Sequence, residues 1–377
     1  MGIQDLPNNL RRLRKAREIN QNDMADRLPI SRQAYSAIEG GRSEPKSATL
    51  LAIAEVLQVP LTELLADQVS FQSLRLRSHK RMKAAEKAQK EEVLGRFKQW
   101  LHDYNELENM LDEHEQWRLE EVDAKDPVAA AAQVRKVLEV GDNEPIDDIV
   151  GLLEDAGIKF FTEQFKLPGI FGFSAGSADG GPAVAVNTYA TITIERQIFT
   201  AAHELGHLLL HRSSYGPERE SGTEEEEYEA NRLAGHFLLP DAALEREVGE
   251  NEGLTLVDFV LHVKRKYRVS YMTVLFRLKE RYGYGSDIYP RFKTRYMEKY
   301  GKSLKGNVEP NSVEGPAAED ECEQLSRHDF VEDRLSRLVR RAYMRDLISI
   351  SRAAEILGFS IEEMRSIQQE WMQLVHA

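Results

Sequence analysis

One short string restricts this 377-residue chain more than any other: His203-Glu204-Leu205-Gly206-His207, set within Phe199-Thr-Ala-Ala-His-Glu-Leu-Gly-His-Leu-Leu-Leu-His211. In a helix, residues four apart project from one face, so His203 and His207 would stand side by side. Two imidazoles at that spacing can hold a divalent ion. Zn²⁺ suits the ligand type, with Glu204 beside it as base for a bound water. Other divalent ions remain open, since ligand type alone does not select one metal. Two histidines also leave the coordination incomplete, so a third protein ligand has to come from elsewhere in the chain.

A second helix, near 224–239, supplies candidates. Its apolar stripe (Ala230, Leu233, Ala234, Phe237, Leu238) would press it against the first helix, and Pro240 ends it. Glu227 opens Glu227-Tyr-Glu-Ala-Asn231 and shares a helix face with Asn231. We read Glu227 as the third metal ligand and Asn231 as an outer partner orienting a ligand histidine. Glu226 and Glu229 compete for the ligand role, and a solvated acidic face is the alternative for the whole cluster. Glu204 would take a proton from the attacking water and pass it to a leaving amine. His211 reads as a surface or core histidine, and His236 is left without a role.

Composition sets the frame. Hydrophobic residues make up 41% and charged residues 30%, the mark of a globular chain with a hydrated surface. The single cysteine, Cys322, excludes an intrachain disulfide and fits a reducing cytoplasm. No apolar run is long enough to span a membrane and no secretory signal is visible, so the expected location is cytoplasmic. The net charge of −13 excludes a chain coated for non-specific nucleic-acid binding. The first 66 residues, however, carry nearly balanced acids and bases, so a local DNA-reading module is compatible with it.

Those first residues read as five short helices: 9–19, 21–28, 32–39 capped by Ser31, 48–57 capped by Ser47, and 63–66 capped by Thr62. Residues 67–125 read as a helical connector. Its apolar and aromatic residues, from Val93 to Leu111, recur at three- and four-residue intervals; a dimer coiled coil and docking on the chain's own later domain are equal readings of it. Helices are expected at 127–140, 146–156, 195–211, 224–239, 255–268 and 270–282, and strands at 157–161, 169–173 and 183–187. Residues 283–324 read as a linker and 325–377 as a helical C-terminal region. There, Ile348-Ser-Ile-Ser-Arg-Ala-Ala-Glu-Ile-Leu-Gly358 reads as a capped helix pair.

Two resemblances follow from these residues. The run from Asp126 to Arg281 resembles the ImmA/IrrE-type metallopeptidase domain. The matching pieces, in order, are Ile146-Asp-Asp-Ile-Val-Gly-Leu-Leu-Glu154 with Gly157-Ile158, Val186-Asn187, Glu195-Arg196, Phe199-Thr200 with His203-Glu-Leu-Gly-His207, and Glu227-x-x-Ala-Asn231 ending in Leu238-Leu239-Pro240. That resemblance implies a glutamate-type zincin with ligands at His203, His207 and Glu227 and the base at Glu204. It also implies a protein substrate, a helix-turn-helix repressor or neighbouring gene product. Residues 8–66 resemble an XRE (Cro/CI-type) helix-turn-helix domain through Leu10-Arg-Arg-Leu-Arg14, Gln21-Asn-Asp-Met-Ala25, Ser31-Arg-Gln-Ala-Tyr-Ser-Ala-Ile-Glu39, Gly41-Arg42, Pro45 and Leu50-x-x-Ile-Ala-x-x-Leu57. In such a domain Arg32, Gln33 and Ser36 would face base edges while Gln21 and Arg42 anchor phosphates. A five-helix docking domain that reads no DNA is the alternative.

The expected molecule is therefore a mostly α protein with a small sheet (α+β): a five-helix head at 1–66, a connector at 67–125, a zincin-like domain at 126–282, a linker and a helical tail. Its expected function is that of a DNA-binding regulator with a zinc-dependent endopeptidase domain. The alternative is a repressor or antitoxin-like protein whose zincin domain senses or binds a partner without cutting it. Expected partners are operator DNA, a protein substrate or partner, and a second copy of the chain, since readers of this kind face two half-sites; a membrane is not among them.

Overall fold

The computed structural model describes residues 6–17, 19–65, 74–76, 84–123, 125–167, 169–212, 215, 223–304, 309–310 and 334–375. Cys322, much of the 212–223 loop, and residues 311–333 of the expected linker and tail lie outside them. The chain is mostly helical with one small sheet, and it divides into two compact units. The first comprises Met1–Phe71, Ser78–Glu106 and Leu167–Gly169; the second comprises Gln72–Arg77, Leu107–Lys166 and Ile170–Ala377. Among the described residues, no helix is long and apolar enough to cross a membrane.

The first unit holds five short helices, α1 (Leu6–Ala16), α2 (Gln21–Asp26), α3 (Arg32–Glu39), α4 (Ser47–Leu57) and α5 (Leu61–Leu65). Asn20 caps α2, accepting from the backbone of Asn22 and Asp23, and Ser31 caps α3 as its sequence predicts. Ser47 and Thr62 do not precede their helices. Each lies inside one, and the extended residue before α4 is Lys46. Leu10, Leu13, Met24, Tyr35, Ile53 and Leu57 meet in one buried cluster. Within it Arg14 grips Glu39 with both arms of its guanidinium, Nε to Oε2 at 2.7 Å and Nη2 to Oε1 at 2.8 Å. Burial alone would raise the Glu39 carboxyl, but hydrogen bonds from Arg14 and Gln21 outweigh it and hold the pKa below its ordinary value.

The connector is not one helix throughout. Helix α6 (Ala84–Leu111) runs 28 residues and stops where Asp112 adopts a left-handed backbone, φ 55°. Phe97, Trp100 and Tyr104 form an aromatic ladder along it, with successive ring centroids 5.5 and 5.3 Å apart. A short strand, β1 (Leu74–Leu76), precedes it and belongs to the second unit's sheet. Nothing in its three residues marks it as a strand without its partner.

The second unit continues with α7 (Pro127–Val137), α8 (Ile149–Asp155), β2 (Lys159–Glu163), β3 (Gly172–Ala175), β4 (Ala183–Asn187), α9 (Ile194–Leu210) and α10 (Glu224–Leu238). Next come α11 (Asp241–Glu250), α12 (Leu256–Tyr267), α13 (Tyr271–Tyr282), α14 (Ile288–Tyr300), α15 (Arg334–Met344), α16 (Ile350–Leu357) and α17 (Ile361–Val375). The sheet order is β1-β3-β4-β2, with β3 antiparallel to both neighbours and β2 parallel to β4. Strands β2 and β3 begin later than their sequence predicts because Gly157 and Gly169 take positive φ, 84° and 87°, and belong to the turns before them. The linker expected over 283–324 contains α14, whose Ile288, Phe292 and Tyr296 are buried on one face. Its Gly and Pro neighbours mask that pattern, although Pro290 sits in the first turn, where proline is tolerated. Helix α11 follows directly on Pro240 and is also unanticipated. Buried Glu108 binds both Lys159 Nζ (3.1 Å) and Arg334 Nη1 (2.7 Å), tying α6, β2 and α15 together.

Replacing Glu39 with Ala strands the Arg14 guanidinium and should cost about 3 kcal/mol of stability in the first unit, read by urea denaturation. Because the folded-state pKa of Glu39 is depressed, its contribution is complete above the ordinary carboxylate range and vanishes as pH falls through the depressed value. Acid titration of the wild type, and not of Glu39→Ala, should show that loss.

Candidate metal centre

Helix α9 carries the histidines. Thr193 caps its start, and its inner face packs on β3, β4 and α10, burying His203, Glu204 and His207. The two rings meet edge to face with their Nε2 atoms 3.0 Å apart. From α10, Glu227 places Oε2 at 3.4 Å from His203 Nε2 and Oε1 at 3.3 Å from His207 Nε2. Burial would raise this carboxyl; when the two rings are protonated, their hydrogen bonds and charge outweigh it and hold the carboxyl well below the usual carboxylate range.

These three side chains could hold a metal ion, their ligand atoms all lying within 4.8 Å of one another. Ligands on one tetrahedral ion with bonds of 2.0–2.1 Å stand about 3.3 Å apart, so the observed separations fit such an ion without rearrangement. The set, two imidazoles and one carboxylate, leaves a fourth position for water or substrate.

The neighbouring acids divide the remaining work. Glu226 closes a capping box with Thr223, its carboxylate accepting from the Thr223 amide at 2.8 Å. Glu229 lies 2.9 Å from His211 Nε2. A carboxylate only accepts, so a neutral His211 carries its proton on Nε2 and presents its Nδ1 lone pair to His207 Nδ1, 2.9 Å away. His207 must then be protonated at Nδ1, which leaves the Nε2 lone pair facing the site. Asn231 Oδ1, 3.0 Å from His203 Nδ1, fixes His203 in the same tautomer. His211, one helical turn beyond His207, is thus a partner of the site that the sequence reading passed over. The spacing His207-x-x-x-His211 was the available signal.

Glu204 is held in the same manner. Ser174 on β3 donates to its Oε2 at 2.7 Å, and the Tyr215 hydroxyl lies 2.8 Å from Ser174 Oγ. Neither residue belongs to a recognisable motif. Strand β3 can lie this close because Gly172 has no side chain: a Cβ there would fall 2.4 Å from Thr200 Cγ2 and 3.4 Å from Glu204 Cγ. Helix α10 reaches α9 by a similar device, since a Cβ on Gly206 would stand 3.0 Å from Ala230 Cα. At the far end of α10, two buried arginines satisfy carbonyls that the helix leaves open: Arg135 donates to Phe237 O at 2.6 Å and Arg277 to Leu239 O at 3.0 Å. His236 belongs to this brace, bonded to Arg277 and Glu280, and burial together with the Arg277 charge lowers its pKa.

In the first unit, Arg32, Gln33, Ser36 and Arg42 line one hollow of about 390 Å³ beside the start of α3. Arg32, Gln33 and Arg42 are exposed and Ser36 is half-buried. Gln21, the remaining residue of that predicted set, donates to Glu39 Oε1 at 2.9 Å.

The second unit thus holds a buried His-His-Glu set that could bind a metal ion beside a held glutamate, and the first a capped five-helix unit with an exposed polar third helix. Residues 153–279 match the family described as the IrrE N-terminal-like domain, a peptidase family, and residues 10–64 match the helix-turn-helix family. The chain thus joins an XRE-type helix-turn-helix domain to an ImmA/IrrE-type domain. Among similar curated proteins, an uncharacterized HTH-type transcriptional regulator of Bacillus subtilis, YqaE, is 46% identical over 57 residues, 15% of this chain and 49% of that protein. The cryptic phage CTXphi transcriptional repressor RstR of Vibrio cholerae is 33% identical over 73 residues, 19% of this chain and 66% of that protein. The chain therefore spans between about half and two thirds of the length of these relatives.

Replacing His211 with Ala releases the His207 tautomer and should weaken metal binding about 10- to 100-fold, read by competition with a chromogenic chelator. Glu229→Gln keeps an acceptor for His211 and should lose less. Equal affinity in all three proteins would remove the tautomer argument.

Proposed function

We propose that this protein is a DNA-binding transcription regulator whose second domain is a zinc-dependent endopeptidase acting on a protein substrate. The substrate we infer is another regulator, of helix-turn-helix type or encoded alongside. The observation that carries the peptidase reading is the convergence of His203, His207 and Glu227, with Glu204 held next to them by Ser174. Zinc, when bound, would supply Lewis-acid polarisation of the scissile carbonyl and acidify the attacking water. Glu204 takes the proton from that water and hands it to the leaving amine, while Ser174 keeps its carboxylate in one rotamer. Asn231 and His211 hold the outer nitrogens of the two imidazoles, so that their Nε2 atoms face Glu227.

The DNA-reading half rests on the exposed start of α3. Arg32 and Gln33, with Ser36, would meet base edges in the major groove, and Arg42 a phosphate. We infer that Gln21 acts from behind this surface, through Glu39.

Replacing Glu204 with Ala should leave zinc content intact and abolish cleavage of the partner regulator, followed by intact-mass analysis. Cleavage at the wild-type rate by this variant would reject the peptidase assignment. On duplexes selected from a random pool, Arg32→Ala should cost about 1–3 kcal/mol and relax sequence preference, whereas Arg42→Ala should weaken all sequences alike. Fluorescence anisotropy at fixed salt separates these two patterns.

A further inference from the structure

Strand β3 is the part of the sheet nearest the proposed base. Its Ser174 bonds Glu204, and its Gly172 leaves no gap above the Glu204 side chain. One edge of β3 pairs with β4. The opposite edge offers a row of backbone donors and acceptors, the template on which an extended peptide adds as a further strand. That edge is taken. Leu74–Leu76 lies along it antiparallel, with Arg75 in register opposite Ser174, the residue that holds Glu204.

This pairing differs from the rest of the sheet. Strands β2, β3 and β4 follow one another in the chain and are buried together, whereas β1 comes from the connector, far away in sequence. Residues 72–77 count with the second unit, but the chain on either side of them, Met1–Phe71 and Ser78–Glu106, counts with the first. Three residues are too short a strand to add much stability of their own, natural strands averaging about 5–6. Their pairing uses the backbone, as a docked peptide would.

We propose that the outer edge of β3 is the peptide-docking strand of the metal site and that the chain's own Leu74–Leu76 occupies it as an internal substrate mimic, masking the site in cis. This rests on the peptidase reading above and deepens it. The substrate class becomes a protein segment able to enter as an added strand, and entry requires the connector to leave. Any process that draws Leu74–Leu76 off the sheet would unmask the site.

The test uses the full chain, stripped of metal so that no probe is cut. The probe is a fluorescein-labelled peptide of residues 70–80, followed by anisotropy. The first variant is L74P/R75P. Successive N–H groups point to opposite edges, so one of the two prolines removes a ladder donor in either phase. The second variant, L74G/L76G, serves if the prolines alter the far-UV circular dichroism. The peptide should bind the variant roughly tenfold more tightly than the wild type, because apparent affinity falls with the fraction of molecules whose edge is open. A peptide carrying the two prolines should bind neither. Equal affinity of the wild type and a correctly folded variant for the 70–80 peptide would overturn the proposal. Zinc-loaded variant should also hydrolyse an unfolded protein faster than zinc-loaded wild type. A binding difference without hydrolysis in either protein would discard the peptidase reading and still support the docking edge.

Discussion

The contact between α9 and α10 at Gly206 and Ala230 governs the candidate metal site. At that point the helices approach until a single methyl group would collide with backbone, and this closeness lets the short carboxylate of Glu227 reach both imidazoles. Apolar side chains on α10 supply the attraction, since Leu233, Ala234, Phe237 and Leu238 are buried in the same cluster as Ala201, Ala202 and Leu205 of α9. Arg135 and Arg277 complete it from the other end by satisfying the last carbonyls of α10, so that the helix can finish inside the protein.

Around this contact, polar groups hold the outer sides of the histidines and of Glu204. Asn231 and the Glu229–His211 pair hold the outer nitrogens of His203 and His207, and Ser174 holds Glu204. The cost of burying these groups is offset by hydrogen bonds on their outward sides, while their inward sides converge. Three acids of α10, Glu226, Glu227 and Glu229, would repel one another if left alike. They are instead distributed: Glu226 on the cap, Glu227 between the histidines, Glu229 on His211. Backbone N–H groups at the helix start favour Glu226 and Glu227, which lie in its first turn.

The first unit follows the same economy with different chemistry. Its cluster of small apolar helices encloses one ion pair, Arg14 with Glu39, and Gln21 joins it from α2. Glu39 ends α3, so the pair fixes the helix whose opposite end carries Arg32 and Gln33. Arg32 and Gln33 are exposed and lie outside the buried cluster.

Much of this is legible in local patterns along the chain. The four-residue spacing of His203 and His207, the stripe along 230–238 and the cap at Ser31 each act within one element, where periodicity and local hydrogen bonding dictate the result. Local rules also misled in places: Gly157 and Gly169 looked like strand starts, and the apolar face of 288–296 was hidden among glycine, proline and charge. Tertiary structure alone decided which acid of 226–229 meets the histidines, that Ser174 and Tyr215 stand behind Glu204, and that three connector residues close the edge of β3. Those outcomes depend on the distance between elements far apart in the chain. That distance is set by packing volume and backbone approach, which no spacing within a single helix or strand encodes.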